Sequence, residues 1–277
     1  MLTGLYSAAS GMIIQEQVQD VLAQNLANSQ MPGYQRSEAV IRSFPDVMLQ
    51  AAYGGQAAVD NKSRYNHAVG RLGTGAGIDW IYTDYSRGSF RYTNEPTDVA
   101  IDGDGYFSLI SPDGMRFSRS GDFHVDAEGY LVNNQGYYVM GQGIQNNRTP
   151  GPILVGRENF QIDGYGHIYA AREVIGPDGK RMNEQVEIDQ LRVIDFEDRD
   201  KLFREPGNIF RCEEDDLDNF KIPERFRVMQ GYVEQSNAVP TTEMVKLIDS
   251  FRVHEASSRV IRALDQTLSK AVNDIAR

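Results

Sequence analysis

One short run of acidic and glycine residues is the first place to look for chemistry in this sequence. Residues 102–105 read Asp-Gly-Asp-Gly, and carboxylates at such spacing occur in calcium-binding loops. An EF-hand loop that began at Asp102 would need Asp or Asn at its fifth position and Gly at its sixth, where the sequence has Tyr106 and Phe107. We therefore interpret the run as a tight turn that leads into a strand.

Other metal sites and nucleophiles are not indicated either. The four histidines stand apart from one another, and Cys212, the sole cysteine, precedes an acidic run at 213–218 that disfavours a thiolate. The glycine-rich run 73–77 lacks the spacing of a phosphate-binding loop. A glycosidase-like pair of carboxylates stays open, because acidic residues are abundant. We assign no catalytic, cofactor-binding or metal-ligating residue, and we expect no enzyme, no cofactor and no small-molecule substrate.

The charge of the chain restricts its partners. The formal net charge is -11, and no cluster of lysine and arginine is present, which argues against nucleic acid and anionic lipid as partners. The N-terminus lacks the basic region of a secretory signal, and no apolar run approaches about 18 residues. These facts favour a soluble, cytoplasmic protein unless an uncleaved signal directs export.

The longest periodic pattern lies at the C-terminus. Apolar residues recur there at steps of three and four, with Asn237 as the candidate N-cap and Pro240 in the first turn. The predicted helix continues to Ile275. Its seam, which has polar interruptions in the middle, is formed by Met244, Leu247, Phe251, Ile261, Leu268, Val272 and Ile275.

A second helical pattern runs from Leu2 to about Ala27 and ends before a turn at Pro32 and Gly33. Neither helix can bury its stripe against itself. We therefore predict that the two terminal helices form a coiled-coil-like helical domain that packs against neighbouring copies.

Between the helices the pattern changes to period two. From Ile78 onward, short strand signals alternate with turns of Gly, Asp and Asn, as in an all-β domain. Residues 36–77 are interpreted as an extended or partly helical arm. The predicted fold class is α+β, with long N- and C-terminal helices around a central, strand-rich domain. The predicted segments are 1–35 (helical), 36–77 (arm), 78–234 (β-rich) and 235–277 (helical).

Several segments resemble the signatures of one family. They are residues 5–12 (LYSAASGM), 20–28 (DVLAQNLAN), 32–34 (PGY), 82–88 (YTDYSRG), 94–107 (NEPTDVAIDGDGYF) and 229–237 (MQGYVEQSN). On these motifs the sequence is identified as a member of the bacterial flagellar rod and hook proteins. The departures are Gln24 and Met31, where that family usually has Asn and Thr. The resemblance runs nearly end to end and is weakest from about Pro150 to Pro223.

The resemblance implies a structural subunit of the flagellar basal-body rod. Its terminal helices would polymerise by heterologous contacts into a helical tube that transmits torque from motor to hook. Its partners would be further copies of itself, neighbouring rod and hook proteins and the flagellar type III export apparatus. It would reach the basal body, in the periplasm or cell-wall zone, without a cleaved signal peptide. Chain length and the segment 43–46 favour a proximal over a distal rod protein.

An assembly interface follows from the same resemblance. In the N-terminal helix and motif it would include Leu5, Met12, Leu22, Asn25, Leu26, Asn28, Pro32 and Gly33. In the C-terminal helix it would include Asn237, Met244, Leu247, Phe251, Ile261, Leu268, Val272 and Ile275. The alternative is a stand-alone β-rich binding module or hydrolase whose helices pair within one chain.

Overall fold

The computed structural model describes residues 2–44, 47–51, 67–144, 149–156, 160–175, 181–212, 220–221, 223 and 225–275. Helix α1 spans Leu2–Ala27 and helix α2 spans Pro240–Ile275. Pro240 is the first residue of α2, where a missing N–H removes no helical hydrogen bond. Within the described residues, neither helix combines the length and apolarity that crossing a bilayer requires.

In the described residues between the helices, one 3₁₀ turn at Arg199–Lys201 and 21 strands are present. In chain order they are β1 Ser37–Ser43, β2 Val47–Ala51, β3 His67–Leu72, β4 Ala76–Thr83, β5 Phe90–Tyr92, β6 Val99–Gly103, β7 Tyr106–Ser111, β8 Gly114–Ser118, β9 His124–Val125, β10 Leu131–Val132, β11 Tyr138–Gly141, β12 Gly151–Pro152, β13 Phe160–Ile162, β14 His167–Ile175, β15 Arg181–Gln190, β16 Val193–Phe196, β17 Phe203–Glu205, β18 Ile209–Arg211, β19 Phe220–Lys221, β20 Phe226–Gln230 and β21 Tyr232–Glu234.

The chain divides into two compact units. The first, which we call the helical unit, consists of Met1–Leu26, Ser37–Thr83 and Pro240–Arg277; the second, the β unit, consists of Ala27–Arg36 and Asp84–Val239. In the helical unit β1 pairs with β4 and β2 with β3, both antiparallel. The residues predicted as an arm thus contain strands, and the described part of that segment contains no helix.

A ten-stranded sheet forms the centre of the β unit. Its main path is β17-β18-β8-β7-β11-β10-β9, with β12 beside β11, β16 beside β7 and β19 beside β16. Smaller sheets join β13-β14-β15, β20-β6 and β21-β5. The alternating apolar residues of β6 and β7 point into the main core, where Ile101, Phe107 and Leu109 are fully buried. A second cluster surrounds Phe117, Phe196 and Phe210.

A buried arginine ties several loops of the β unit together. The Nε of Arg119 lies 2.6 Å from Oε2 of Glu234, and both side chains are almost fully buried. The Nη2 of Arg119 donates to the carbonyl oxygens of Ile101 and Gly103, at 2.8 and 2.7 Å, and its Nη1 donates to the carbonyl of Gly105. Backbone carbonyls of the Asp-Gly-Asp-Gly run therefore accept hydrogen bonds from the guanidinium of Arg119. These bonds offset the free-energy cost of burying its charge.

Glycine at position 33 is required by a close backbone approach. Gly33 has a φ of +63°, and its N–H donates to the carbonyl of Glu234 at 2.7 Å. A Cβ at this position would lie 2.5 Å from the amide nitrogen of Ser120 and 2.6 Å from the carbonyl carbon of Arg119. Backbone atoms cannot move away as a flexible side chain can, so the turn that follows α1 accepts only glycine here.

The predicted coiled-coil-like helical domain is wrong. α1 and α2 lie side by side in the helical unit, but polar and small residues form much of their contact, including Gln15 and Ser250. Met244 and Phe251 of the predicted seam are instead about half exposed. A coiled coil needs apolar side chains at all of its contact positions, whereas only part of the predicted seam of α2 is half-buried. The remaining part of the prediction, helices at both termini with strands between them, agrees with the structure.

Replacement of Gly33 tests the close approach. We expect Gly33→Ala to lower the free energy of unfolding by about 2–4 kcal/mol, from backbone strain and overpacking together. Gly136→Ala is the matched control, because Gly136 also has a positive φ, +82°, but a Cβ there would meet nothing within 4 Å. The control should lose only about 1 kcal/mol. Equal losses, measured by denaturant unfolding, would contradict the required contact.

Replacement of Arg119 tests the buried ion pair. Arg119→Met should destabilise the β unit by about 3–5 kcal/mol, because it leaves the Glu234 carboxylate buried without its partner. Arg87→Met is the control, since Arg87 is half exposed and lies 3.5 Å or more from Asp102 and Asp104. That change should cost less than about 1 kcal/mol. Denaturant midpoints that fall equally for both variants would contradict a special role for Arg119.

Candidate functional site

The contact between α1 and α2 is polar, and we call it the polar seam (Gln15, Asn25, Glu243, Ser250 and Ser257). The Oγ of Ser250 donates to Oε1 of Gln15 at 2.7 Å. Nδ2 of Asn25 donates to Oε2 of Glu243 at 3.4 Å. A Cβ built on Gly11 would lie 3.7 Å from Oγ of Ser257, so a small residue of α1 faces that serine. The helices run antiparallel along this seam, and Leu264 of α2 also lies against α1, because its Cδ1 would be 3.8 Å from a Cβ built on Gly4.

Glu243 is the most deeply buried charge of the seam. Its side chain is 1% exposed and lies in the first turn of α2, where the helix dipole favours an anion. Nζ of Lys246 lies 3.4 Å from Oε1 of Glu243 and 3.5 Å from Oε1 of Glu38. One lysine thus lies between carboxylates from α2 and from β1 and connects this end of α2 to the strand.

Asn25 connects the end of α1 to the start of β1. Its Oδ1 accepts from the N–H of Ser37 at 2.9 Å, and its Nδ2 donates to the carbonyl of Ser37 at 2.7 Å. The amide therefore satisfies both backbone groups of one residue, as a neighbouring strand would. The side chain is buried, so its role in this unit is to hold the chain where it leaves the helix.

The outward side of α2 is apolar. Met244, Ile248 and Phe251 follow one another at the i, i+4, i+7 spacing of one helix face, and each is 48–53% exposed. We call these three residues the α2 patch. Among the described side chains of α2, only those of Glu243 and Ser250 are buried, and both are polar. The α2 patch is therefore exposed, whereas Leu247, Ile261 and Leu268 of the same helix are half-buried.

A second group of exposed apolar side chains lies on the paired strands β1 and β4. Trp80 and Ile81 are adjacent in β4, so they point to opposite faces of the ribbon, and both are more than half exposed. Ile41 of β1 is also half exposed. Exposed apolar area of this kind is characteristic of protein–protein contact surfaces.

The predicted interface residues fall into different environments. In α1 and the loop after it, Leu22 and Asn25 are buried and Leu5, Met12, Leu26 and Asn28 are half-buried. In α2, Leu247, Ile261 and Leu268 are half-buried, Met244, Phe251 and Val272 are exposed, and the side chain of Ile275 lies outside the described ones. Pro32, Gly33 and Asn237 belong to the β unit.

Asn237 is not the N-cap of α2, because that helix begins three residues later, at Pro240. Its Oδ1 accepts from the N–H of Arg36 at 2.7 Å, and its Nδ2 donates to the carbonyls of Asp84 and Ser86 at 2.8 and 3.0 Å. Arg36 in turn places its Nη2 2.8 Å from Oδ2 of Asp84. Asn237 thus joins two loops of the β unit. Pro32 makes a similar connection, because its carbonyl accepts a hydrogen bond from Nδ2 of Asn208.

Hydrogen bonds lower the pKa of Asp84. Partial burial alone would raise the pKa of this carboxyl, but the N–H and hydroxyl of Ser86 and the guanidinium of Arg36 outweigh it. A carboxyl whose pKa is lower in the folded than in the unfolded chain stabilises the fold above its ordinary pKa, and this contribution is lost as the pH falls through the folded value. The pair with Arg36 is therefore intact at neutral pH.

Sequence reasoning missed the residues that hold the seam together. Glu243, Ser250 and Ser257 are spaced seven residues apart, which is about two helical turns and places them on one face. The predicted seam was built on the apolar residues and did not include them. Ile14, buried on α1, was not included in the predicted interface either. Over the part of the chain that the structure describes, no group of three His, Cys, Asp or Glu side chains could hold a metal ion.

Comparisons with known proteins cover both ends of the chain and its middle. Residues 5–35 match the model of the flagella basal body rod protein. Residues 100–198 match the D1 domain of the flagellar hook protein FlgE/F/G, and residues 229–274 match the C-terminal region of the flagellar basal body rod FlgEFG proteins. The three matches include most of α1, seven of the ten strands of the large sheet, and nearly all of α2.

Relatives match over the whole length. The flagellar basal-body rod protein FlgG of Bacillus subtilis (strain 168) is 28% identical, with 99% of each chain covered. The flagellar hook-basal body complex protein FlhO of the same strain is 26% identical, with both chains fully covered. The flagellar hook protein FlgE of Helicobacter mustelae is 36% identical over 51% of this chain and 31% of its own. Because family models match at both termini and in the middle, and rod proteins match end to end, this chain belongs to the flagellar basal-body rod protein family.

Proposed function

We propose that this chain, a structural subunit of the flagellar basal-body rod, joins its neighbours through the uncovered apolar face of α2. The family it belongs to associates with other rod and hook proteins of the flagellum. We further propose that copies of this chain contact one another, that the contacts repeat without closing, and that a helical tube results. Torque would then pass from motor to hook through many such interfaces.

One observation carries this proposal. α2 has 36 residues, yet none of its described apolar side chains is buried, while seven of them are about half exposed or more. Burial of a large apolar side chain is worth about 1.5–3 kcal/mol, so covering the exposed halves of the three-residue α2 patch would contribute roughly 2–5 kcal/mol per contact. A helix with this distribution gains most of its stability from a neighbouring molecule.

The predicted interface residues enter the proposal in two roles. Met244, Phe251 and Val272 would contact neighbouring subunits directly, since they are exposed, and Ile275 is proposed to continue that surface. The half-buried residues would complete the contact at its margins: Leu5, Met12, Leu26, Asn28, Leu247, Ile261 and Leu268. The remaining predicted residues would act indirectly, by stabilising the fold of their own unit: Leu22, Asn25, Pro32, Gly33 and Asn237.

The remaining parts of the proposal concern organisation and location. Residues 1–35 and 235–277 would form the inner, axial part of the rod, 78–234 the outer part and 36–77 the connecting arm. The grouping of both terminal helices in one unit supports the axial part of this division, although that unit also contains Ser37–Thr83. The subunit would be exported by the flagellar type III apparatus without a cleaved signal peptide, assemble in the periplasm or cell-wall zone, and have no catalytic role. Its position as a proximal rod protein stays a prediction.

Charge placed in the α2 patch tests the proposed interface. Phe251→Asp should abolish assembly into rods and flagellar motility, because it removes apolar burial and forces a carboxylate into the contact; we expect the association constant of each contact to fall by about 100-fold or more. The β unit should keep its secondary structure by circular dichroism, since Phe251 lies outside it.

Phe203→Asp is the matched control for this test. Phe203 is a surface phenylalanine of the β unit with nearly the same exposure, 48% against 53%. That variant should still assemble and support motility. The proposed interface would be wrong if Phe251→Asp assembled as well as Phe203→Asp did.

A further inference from the structure

A groove lies beside α2, on the side away from the α2 patch. Residues of α1, β1 and α2 line it, all within the helical unit, and its volume is about 430 Å³. Val21, Leu22 and Ile41 are among the apolar residues of its lining, and Glu38, Glu243 and Asp249 carry carboxylates there against the single ammonium of Lys246. The groove therefore combines apolar walls with an excess of negative charge.

The two surfaces of α2 point in opposite directions. Lys246, Ser250 and Val253 line the groove, and each follows a residue of the α2 patch, Met244, Ile248 or Phe251, by two positions. Two residues correspond to about 200° around a helix, so residues at that spacing do not share a face. One helix thus presents the α2 patch on one side and contributes residues to the groove on the other.

The charges on the two sides are complementary. Arg252 follows Ile248 by four residues, and Arg259 follows Arg252 by seven, so both arginines lie on the outward side of α2 beyond the patch. Their side chains are 76% and 73% exposed. Each pairs with a carboxylate on the same helix, Asp249 at 3.8 Å and Glu255 at 2.7 Å. Exposed pairs of this kind are weak and exchange readily for other partners.

We propose that the groove of one copy receives the α2 patch of a second copy of this chain, with the arginines beside the patch meeting the acidic lining of the groove. The inference rests on the proposed function and names the surface that completes the same contact. Because the two complementary surfaces lie on opposite sides of one helix, each copy can bind one neighbour on each side. Such contacts are heterologous and need not close, which is the geometry that a growing rod requires.

Disulfide trapping tests the geometry of this contact. Copies with Phe251→Cys are mixed with copies with Ile41→Cys and oxidised under conditions in which the unmodified chain self-associates. We expect cross-linked dimers in the mixture and none with either variant alone. The unmodified chain is the control, because its own Cys212 is buried. Dimers with Phe251→Cys alone, or associated chains without any cross-link, would overturn the inference.

Charge reversal tests the groove separately from the patch. Glu38→Arg should weaken self-association, measured by sedimentation, by about tenfold or more, because Glu38 lines the groove from β1 and the change places like charge opposite the arginines. Glu16→Arg is the control, since Glu16 is an exposed residue of α1 that does not line the groove. Equal effects of the two changes would overturn the inference. A chain that never bound its own copies would also overturn it, whereas the proposed function would stand if such a chain still joined rods of other rod proteins.

Discussion

The ion pair between Arg119 and Glu234 is the interaction on which the β unit depends. The two residues are 115 positions apart, and their side chains are buried at 2.6 Å. Glu234 also accepts the N–H of Gly88 through its side chain and the N–H of Gly33 through its carbonyl. Three of the most distinctive stretches of the sequence, the turn after α1, the Asp-Gly-Asp-Gly run and the strand β21, therefore meet at one charge pair. A buried pair is costly unless its partners are complete, so the turns at Gly33, Gly103 and Gly105 must keep the backbone positions that bring these partners together.

The helical unit does not depend on a buried pair of this kind and is held together differently. Its two helices meet largely through hydrogen bonds and one ion-paired carboxylate, and none of the described apolar side chains of α2 is buried. Hydrogen bonds between side chains add little net stability, about 1 kcal/mol each, so this seam sets the alignment of the helices more than it stabilises them. In the proposed rod, a neighbouring subunit that covers the exposed face of α2 would add further stability. The division between a well-packed β unit and a weakly packed helical unit suits a subunit that completes its fold on assembly.

Local patterns predicted the helices, the turns and the strand-rich middle, because periodicity and turn residues act over a few positions. α2 was placed almost to the residue, since Pro240 marks its start. The contact face of α2 was predicted only in part, because the prediction followed its apolar residues, whereas its most buried side chains are those of Glu243 and Ser250. The roles of Asn237 and Arg119 could not be found from the sequence, since their partners lie in other loops. The family motifs drew attention to several of these positions without indicating what they contact.

Hydrogen exchange on the purified monomer tests the central claim, that α2 is ordered mainly by its neighbours in the rod. The account predicts fast exchange of backbone amides throughout α1 and α2 and slow exchange in the core strands β6 and β7, where Ile101, Phe107 and Leu109 are fully buried. After assembly, the amides of α2 should become as protected as those strands. Slow exchange of both helices in the monomer would contradict the account, because it would mean that the polar seam alone holds them together.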